Sequence, residues 1–485
     1  MRKSIDAQLQ FGEVAIPNIQ FNMKSRDDIV QLLLGLQYLY TDPTCRQSLF
    51  NLLERLIPSD ISRDHGRPGM HLWTILVLGT LRLNLNCDYD RLHDLANNHL
   101  KIRQMLGHGS FSEQPDYGLQ TLKDNVSLFT SDILDQINQI AVKAGHQLVK
   151  KKEEDALQGK CDSFVFETNV HFPTDISLLF DACRKAVELA ARSCQDHGFT
   201  DLRKSRSSLR TLKRHYHLVR KAKHSTSKNE EKQDAQNLYI IEVHEQYLQK
   251  AWSLLQKVKK TIAILRLVTS AQLIERIESY LAHGDRQRDQ IRRRVILGEV
   301  IPHSEKVFSV FEPYTEWISK GKAGVPVELG LRVCIVEDQY GFILHHHVME
   351  QQTDDQVSVL MVQESQTRFP EFNQCSYDQG FHSPDNQVKL RSLLDHVALP
   401  KKGRLSTEQA LHQQSERFRR ARRQHSAVES AINALEVHGL DVCPDHGLAA
   451  YKRYVALAIV SRNIQKLGAI IRDRHHQHQK GAKAA

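Results

Sequence analysis

Apolar residues recur at spacings of three and four through residues 27–40, 71–85 and 89–106, which predicts amphipathic helices across the first third of the chain. Gly66-Arg67-Pro68-Gly69 interrupts this helical block, and Lys150-Lys151-Lys152-Glu153-Glu154-Asp155 reads as an exposed joint at its end. The period then changes. Residues 164–172 (FVFETNVHF) are rich in β-branched and aromatic side chains, which predicts a strand closed by Pro173. Helical spacing returns from Ile176 to about Arg294. Strand signals follow at 307–311, 325–336 and 342–349, the last two joined as a hairpin over Glu337-Asp338-Gln339-Tyr340-Gly341. Then come a helix at 354–367, a short strand ending at Tyr377, a helix at 384–394, a strand at 396–400 and one long helix over 407–437. The end of the chain, 471–485, loses periodicity and is expected to be disordered.

With the second helical block and the short 307–311 signal set aside, the order is three strands, then helices alternating with two further strands. That is the element order of an RNase H-like α/β domain with a mixed five-stranded sheet. The expected organisation is an all-α N-terminal domain (1–150), a catalytic domain formed by 156–175 and 304–470, and an all-α insertion (176–303) between its first and second strands. Such a sheet brings distant carboxylates together. Asp162 stands at the start of the first strand, Asp378 follows the short strand before a glycine turn, and Glu429 borders the apolar stripe Val428, Ile432, Leu435 of the long helix.

Three carboxylates of this kind suit phosphodiester chemistry. Two Mg²⁺ ions, with Mn²⁺ as an alternative, activate the nucleophile and stabilise the leaving oxygen from about 3.5–4 Å apart. Mg²⁺ takes hard oxygen ligands and keeps much of its own water, so a few carboxylates suffice. Asp175, near the exit of the first strand, competes with Asp162 as first ligand. His345-His346-His347 alternate across a strand and read as a half-exposed hairpin. Asp354-Asp355 follow Thr353 and are accounted for by helix capping and dipole compensation.

Composition changes the picture in two places. The net charge of +9 favours a polyanionic partner, and it is unevenly spread: residues 203–223 hold nine Lys or Arg and no Asp or Glu. Arg203, Lys204, Arg206, Arg210, Lys213 and Arg214 are therefore candidate phosphate contacts, with Lys320 and Lys322 in a glycine-bearing loop as further ones. The eight cysteines include no CxxC pair, which argues against a zinc ribbon, and the scatter suits reduced, mostly buried thiols. There is no apolar signal core at the N-terminus, and the most apolar stretch, 72–85, is short and contains Arg82. A soluble, cytoplasmic, nucleoid-associated protein is expected.

Four segments carry a family resemblance: Asp162-Ser163 with Glu167-Thr168-Asn169-Val170-His171-Phe172-Pro173-Thr174-Asp175; residues 311–324 (FEPYTEWISKGKAG); Tyr377-Asp378-Gln379-Gly380-Phe381-His382-Ser383; and His425-Ser426-Ala427-Val428-Glu429-Ser430. Together they resemble insertion-sequence DDE transposases, in particular the ISNCY group, over about residues 60–470. The resemblance implies Asp162, Asp378 and Glu429 as the DDE triad. It also implies cutting and joining of double-stranded DNA at the element's terminal inverted repeats and at the target, by a homodimer or larger assembly on DNA. The chain departs from related families in two ways. Gln379 follows the second Asp where Lys or Arg is common, and His425 and Glu436 occupy positions often held by Arg and Lys. Arg422 and Arg423, one turn earlier, are the substitutes. A nuclease that cuts without joining, and a DNA-binding protein with a decayed site, are the alternatives.

Overall fold

The computed structural model describes residues 2–5, 9, 12–57, 69–109, 117–152, 155–227, 229–319 and 326–484, with backbone alone for 480–484. Gly66, Arg67, Pro68, Glu153, Glu154, Lys320 and Lys322 lie outside the described residues. The chain divides into two compact units, Met1–Asn169 with Gly330–Ala485, and Val170–Leu329.

Among the described residues the first unit opens with a short 3-10 turn (Ile16–Asn18) and the α-helices α1 (Asp28–Thr41), α2 (Pro43–Glu54), α3 (Leu72–Asn84), α4 (Tyr89–Asn98), α5 (Leu100–Met105), α6 (Leu119–Val126) and α7 (Ser131–Leu148). Side-chain caps set many of their starts: Asp27, Asp42, Asp88 and Thr130 each accept a backbone N–H of the first turn. Strand β1 (Leu157–Thr168) follows. It starts seven residues earlier than its β-branched core suggests, because its first half is bonded on both sides. The second unit then holds α8 (Asp175–Asp196), α9 (Ser205–Lys221), α10 (Glu230–Leu265), α11 (Ala271–Ile291) and the short β2 (Glu316–Ser319), which pairs with β3 (Val327–Glu337). The chain returns to the first unit within β3. There it continues through β4 (Ile343–Met349), α12 (Asp354–Arg368), β5 (Phe372–Tyr377), α13 (Pro384–Leu393), β6 (His396–Ala398), α14 (Thr407–Gln414), α15 (Glu416–His425), α16 (Ala427–Val437), β7 (Val442–Cys443) and α17 (Leu448–Ala484).

The fold is mixed α/β. β1 runs antiparallel to β3, and β3 antiparallel to β4; β5 and β6 run parallel to β1, and β7 pairs with the end of β1. The β3–β4 hairpin closes where expected. Asp338 Oδ1 accepts the N–H groups of Tyr340 and Phe342, and Gly341 takes φ +83°. The cysteines all carry free thiols, and all but Cys87 are buried. Among the described residues no helix is long and apolar enough to cross a membrane.

Several expectations need correcting. The N-terminal helices do not form a domain of their own; they share one compact unit with the sheet. A buried polar network ties them to it. Asn463 of α17 donates to Asn138 of α7 (2.7 Å) and to the Ile343 carbonyl on β4 (2.9 Å), while accepting the Ile343 N–H (3.0 Å). Segment 307–311 is not a strand. Ser309 Oγ accepts the N–H groups of Phe311 and Glu312 and turns the chain, and Val310 packs on Leu178 and Ala182. The helix over 407–437 is three helices, because Ser415 is extended (ψ 142°) and caps α15, and Ser426 separates α15 from α16. His345 is buried rather than half-exposed, since helices cover β4. Of the tail expected to be disordered, residues 471–484 are helical, because α17 runs on to Ala484; Ala485 lies outside the described residues. Gln465 bonds to Asp28, and His476 Nε2 lies 2.9 Å from the Met23 carbonyl, so the N-terminal region holds the late helix.

The crossing of α1 and α17 requires glycine. A Cβ on Gly468 would lie 1.8 Å from the Gln31 carbonyl oxygen, and one on Gly35 would lie 2.0 Å from that of Ile464. Backbone cannot yield at such distances. Gly468→Ala is therefore expected to destabilise the protein by about 1–3 kcal/mol, the usual cost of overpacking, read as a lower urea midpoint at unchanged m-value.

Candidate active site

Strand register decides the site. β1 and β5 pair in parallel with Cys161 opposite Tyr377, so Asp162 is the next residue of β1 and Asp378, still extended, the first residue past the end of β5. Adjacent strands lie about 5 Å apart, and successive side chains alternate faces, which sets the two carboxylates side by side on one face. Cys161 and Tyr377 point the other way, into the core. Asp162 lies in the middle of β1 rather than at its start, with Ile335 of β3 opposite it.

Glu429 comes from the first turn of α16, a helix that packs on β1. Val428, Ala431 and Leu435 form its buried stripe, while Glu429 is exposed at the border. Ala431 thus takes the place expected of Ile432, which is only half-buried. Burial pushes the Asp162 carboxyl up to about 6, and the negative charges of Asp378, Asp354 and Glu429 push in the same direction. The Ser163 N–H, donating to Asp162 Oδ1 at 2.8 Å, opposes them. These carboxylates lie within electrostatic reach of one another. Among the described residues, however, no group of three or more His, Cys, Asp or Glu is drawn close enough to hold a metal ion.

Asp354 is the carboxylate that sequence reasoning assigned to capping alone. It does lie in the first turn of α12, where Thr353 Oγ1 donates to Asp355 and the Thr353 N–H to Gln356. Its Oδ1 also accepts a 2.6 Å bond from Ser163 Oγ, next to Asp162. A Cβ on Gly380 would lie 3.1 Å from its Oδ2, so the turn after Asp378 passes against it. Only the packing of the α12 start against β1 reveals this.

Three further groups border the carboxylates. His425 Nδ1 lies 3.1 Å from Ser376 Oγ, and burial holds its imidazole below the ordinary value. Lys160 is engaged with Glu337 at 2.7 Å. Lys402 Nζ donates to the Gly380 carbonyl at 3.2 Å, bringing a cation to the Asp378 turn, where Gln379 stands in place of a base. Gln379 itself donates to the Lys401 carbonyl. The signal for Lys402 was the Lys401-Lys402-Gly403 turn, which carried no mark of its destination.

The other predicted residues fall elsewhere. Asp175 does not end β1, which stops at Thr168; it opens α8 in the second unit, where Arg294 pairs with it at 2.9 Å. Arg203, Lys204, Arg206, Arg210, Lys213 and Arg214 are all exposed on or just before α9, whose buried residues are Leu212 and Val219. Arg422 and Arg423 are exposed on α15, where Phe418 is the buried anchor and Arg423 pairs with Glu416 at 2.6 Å. Comparison with protein-family models, with curated proteins and with solved structures finds no match.

The Asp162 carboxyl ionises near 3.8 ordinarily and near 6 in the folded protein. Between those values the native state binds more protons than the unfolded one, so stability is fully present below pH 3.8 and falls as pH rises through 6. Asp162→Asn removes that loss. It should stabilise the protein at pH 7.5 by on the order of 1–3 kcal/mol and give no gain at pH 3.5, measured by denaturant unfolding at the two pH values.

Proposed function

We propose that the protein is a DDE transposase of an insertion sequence, cutting DNA at terminal inverted repeats and joining the freed ends to target DNA. The observation that carries this reading is the register that sets Asp162 beside Asp378, with Glu429 delivered to the same neighbourhood by α16. Among the described residues the sheet has seven strands rather than the expected five, in the order β2-β3-β1-β5-β6 with β4 also on β3 and β7 also on β1; the run β4-β3-β1-β5-β6 within it, with β1 antiparallel to β3 and parallel to β5, supports the RNase H-like reading.

The donors are carboxylate oxygens, the ligand type a hard divalent cation takes, although the described side chains are not drawn together into a closed metal site. The charges of Asp378, Asp354 and Glu429 raise the cost of ionising Asp162, and among the described residues Asp162, Asp378 and Glu429 have no ion-pair partner. Asp162, Asp378 and Glu429 would hold Mg²⁺, which when bound supplies charge neutralisation and Lewis-acid activation at the phosphate. The rest falls to the chain's own groups. β1 and β5 fix two carboxylates on rigid backbone, Ser163 and the α12 start orient Asp354, and Lys402 places positive charge where a phosphate would approach Asp378. The exposed cations of α9 supply sequence-independent attraction for the DNA backbone. This reading entails a cytoplasmic, nucleoid-associated protein acting as a dimer or larger assembly.

Asp162→Ala, Asp378→Ala and Glu429→Ala should each abolish Mg²⁺-dependent cleavage of an inverted-repeat duplex while leaving its binding within about twofold, checked by gel cleavage and mobility shift. The same variants should lose the rise in melting temperature that Mg²⁺ gives the parent. Strand-transfer products distinguish a transposase from a nuclease that only cuts.

Charge reversal of Arg210, Lys213 and Arg214 together should weaken duplex binding irrespective of sequence. It should also reduce the slope of log affinity against log salt by about 3, near one unit per lost phosphate contact. An unchanged slope would assign α9 to packing alone.

A further inference from the structure

Two of the segments that carry the family resemblance reach the second unit. Residues 170–175 and 311–319 belong to it, and parts of both line one cleft of about 700 Å³. Its wall is a run of four rings. His303 stands 5.2 Å from Phe308, Phe308 is 5.6 Å from Trp317, and Trp317 is 5.4 Å from Phe172, centroid to centroid. Phe172 is 64 % exposed although it is a large apolar ring. Its strand neighbours cannot explain that, since β1 has ended at Thr168.

Beside these rings and a floor of aliphatic side chains, the lining holds three cations and one acid, Asp175. Arg220, Arg294 and Lys306 are exposed there; Arg294 is held by Asp175, and Arg220 lies in the last turn of α9, continuing its basic run. His244 lines the same cleft. Its Nδ1 is 2.7 Å from the Ile240 carbonyl, which can only accept, so Nδ1 carries the proton and Nε2 is left as an acceptor. Aromatic faces beside guanidinium and ammonium groups, with one fixed acceptor, match a nucleobase and its flanking phosphates. Stacking on aromatic side chains inside a basic groove is how proteins hold bases that are not paired.

We propose that this cleft binds an unpaired nucleobase of a DNA strand, stacked on Trp317 and Phe172, with its phosphates on Arg220 and Lys306. The proposal rests on the reading of the chain as a DNA-acting protein, and it needs neither the carboxylates nor a metal.

The test is binding of the full chain to fluorescein-labelled dT12 and to the same twelve-residue phosphate backbone without bases, by anisotropy in EDTA. The parent should bind dT12 about tenfold more tightly than the abasic strand, the usual size of one stacked base. Trp317→Ala should bring dT12 down to the abasic level and leave abasic binding unchanged, while Trp317→Phe keeps most of the preference. Phe172→Ala, at an exposed ring whose loss does not threaten folding, should reduce the preference as well. Equal affinity of the parent for the two strands, no binding of dT12, or an equal loss for both strands in Phe172→Ala would each overturn the proposal. Because no divalent ion is present, these results stand apart from cleavage. A chain that cuts normally yet shows no base preference refutes the cleft alone. One that never cuts yet shows it refutes the transposase reading alone.

Discussion

The parallel pairing of β1 with β5, which after a register shift at Leu157/Gln158 sets Cys161 opposite Tyr377, is the constraint on which the rest of the first unit depends. A shift of one residue would turn Asp162 to the opposite face and send Cys161 out of the core. Burial holds the register: Leu157, Cys161 and Phe166 are fully buried along β1, as is Phe372 on β5, and Cys375 and Tyr377 are nearly so. Antiparallel pairing with β3 locks the other edge, and Gly330 lets β3 approach where a Cβ would lie 2.0 Å from the Phe166 carbonyl oxygen. The Tyr451 hydroxyl then bridges the two strands, donating to that same carbonyl at 2.5 Å and accepting the Leu331 N–H.

That rigidity comes with electrostatic tension. The frame that buries Cys161 and Tyr377 on one face gathers Asp162, Asp378, Asp354 and Glu429 near one another on the other, and no ion pair among the described residues relieves the first, second or fourth. A site that raises a carboxyl to about 6 opposes its own folding at neutral pH. Functional sites are where such cost is tolerated, because a bound cation or phosphate partner offsets it. The helices that look like a separate domain help to carry that cost. Through Asn138, Asn463 and the α1–α17 crossing they brace the sheet edge.

The second unit follows different physics. Its core is a continuous helical one around Tyr247, Ala251 and Leu255, and its outward face is basic along α9. The aromatic cleft lies at the end of that basic run, with Arg220 common to both.

Local pattern by itself determined a good deal: the helical periods and the β3–β4 hairpin with its Asp338 and Gly341 turn. These follow from side-chain period and turn chemistry, which act within a few residues. Tertiary structure alone decided the remainder. Asp354 joined the carboxylates because α12 starts against β1, Lys402 reached the Asp378 turn from a loop beyond β6, and the tail stayed helical because α1 and its flanking chain hold it. The aromatic cleft needed residues 172 and 317 to meet, which no spacing along the chain announces. Contacts between distant segments are fixed by how the cores close, and that information is carried jointly by residues far apart rather than by any one stretch.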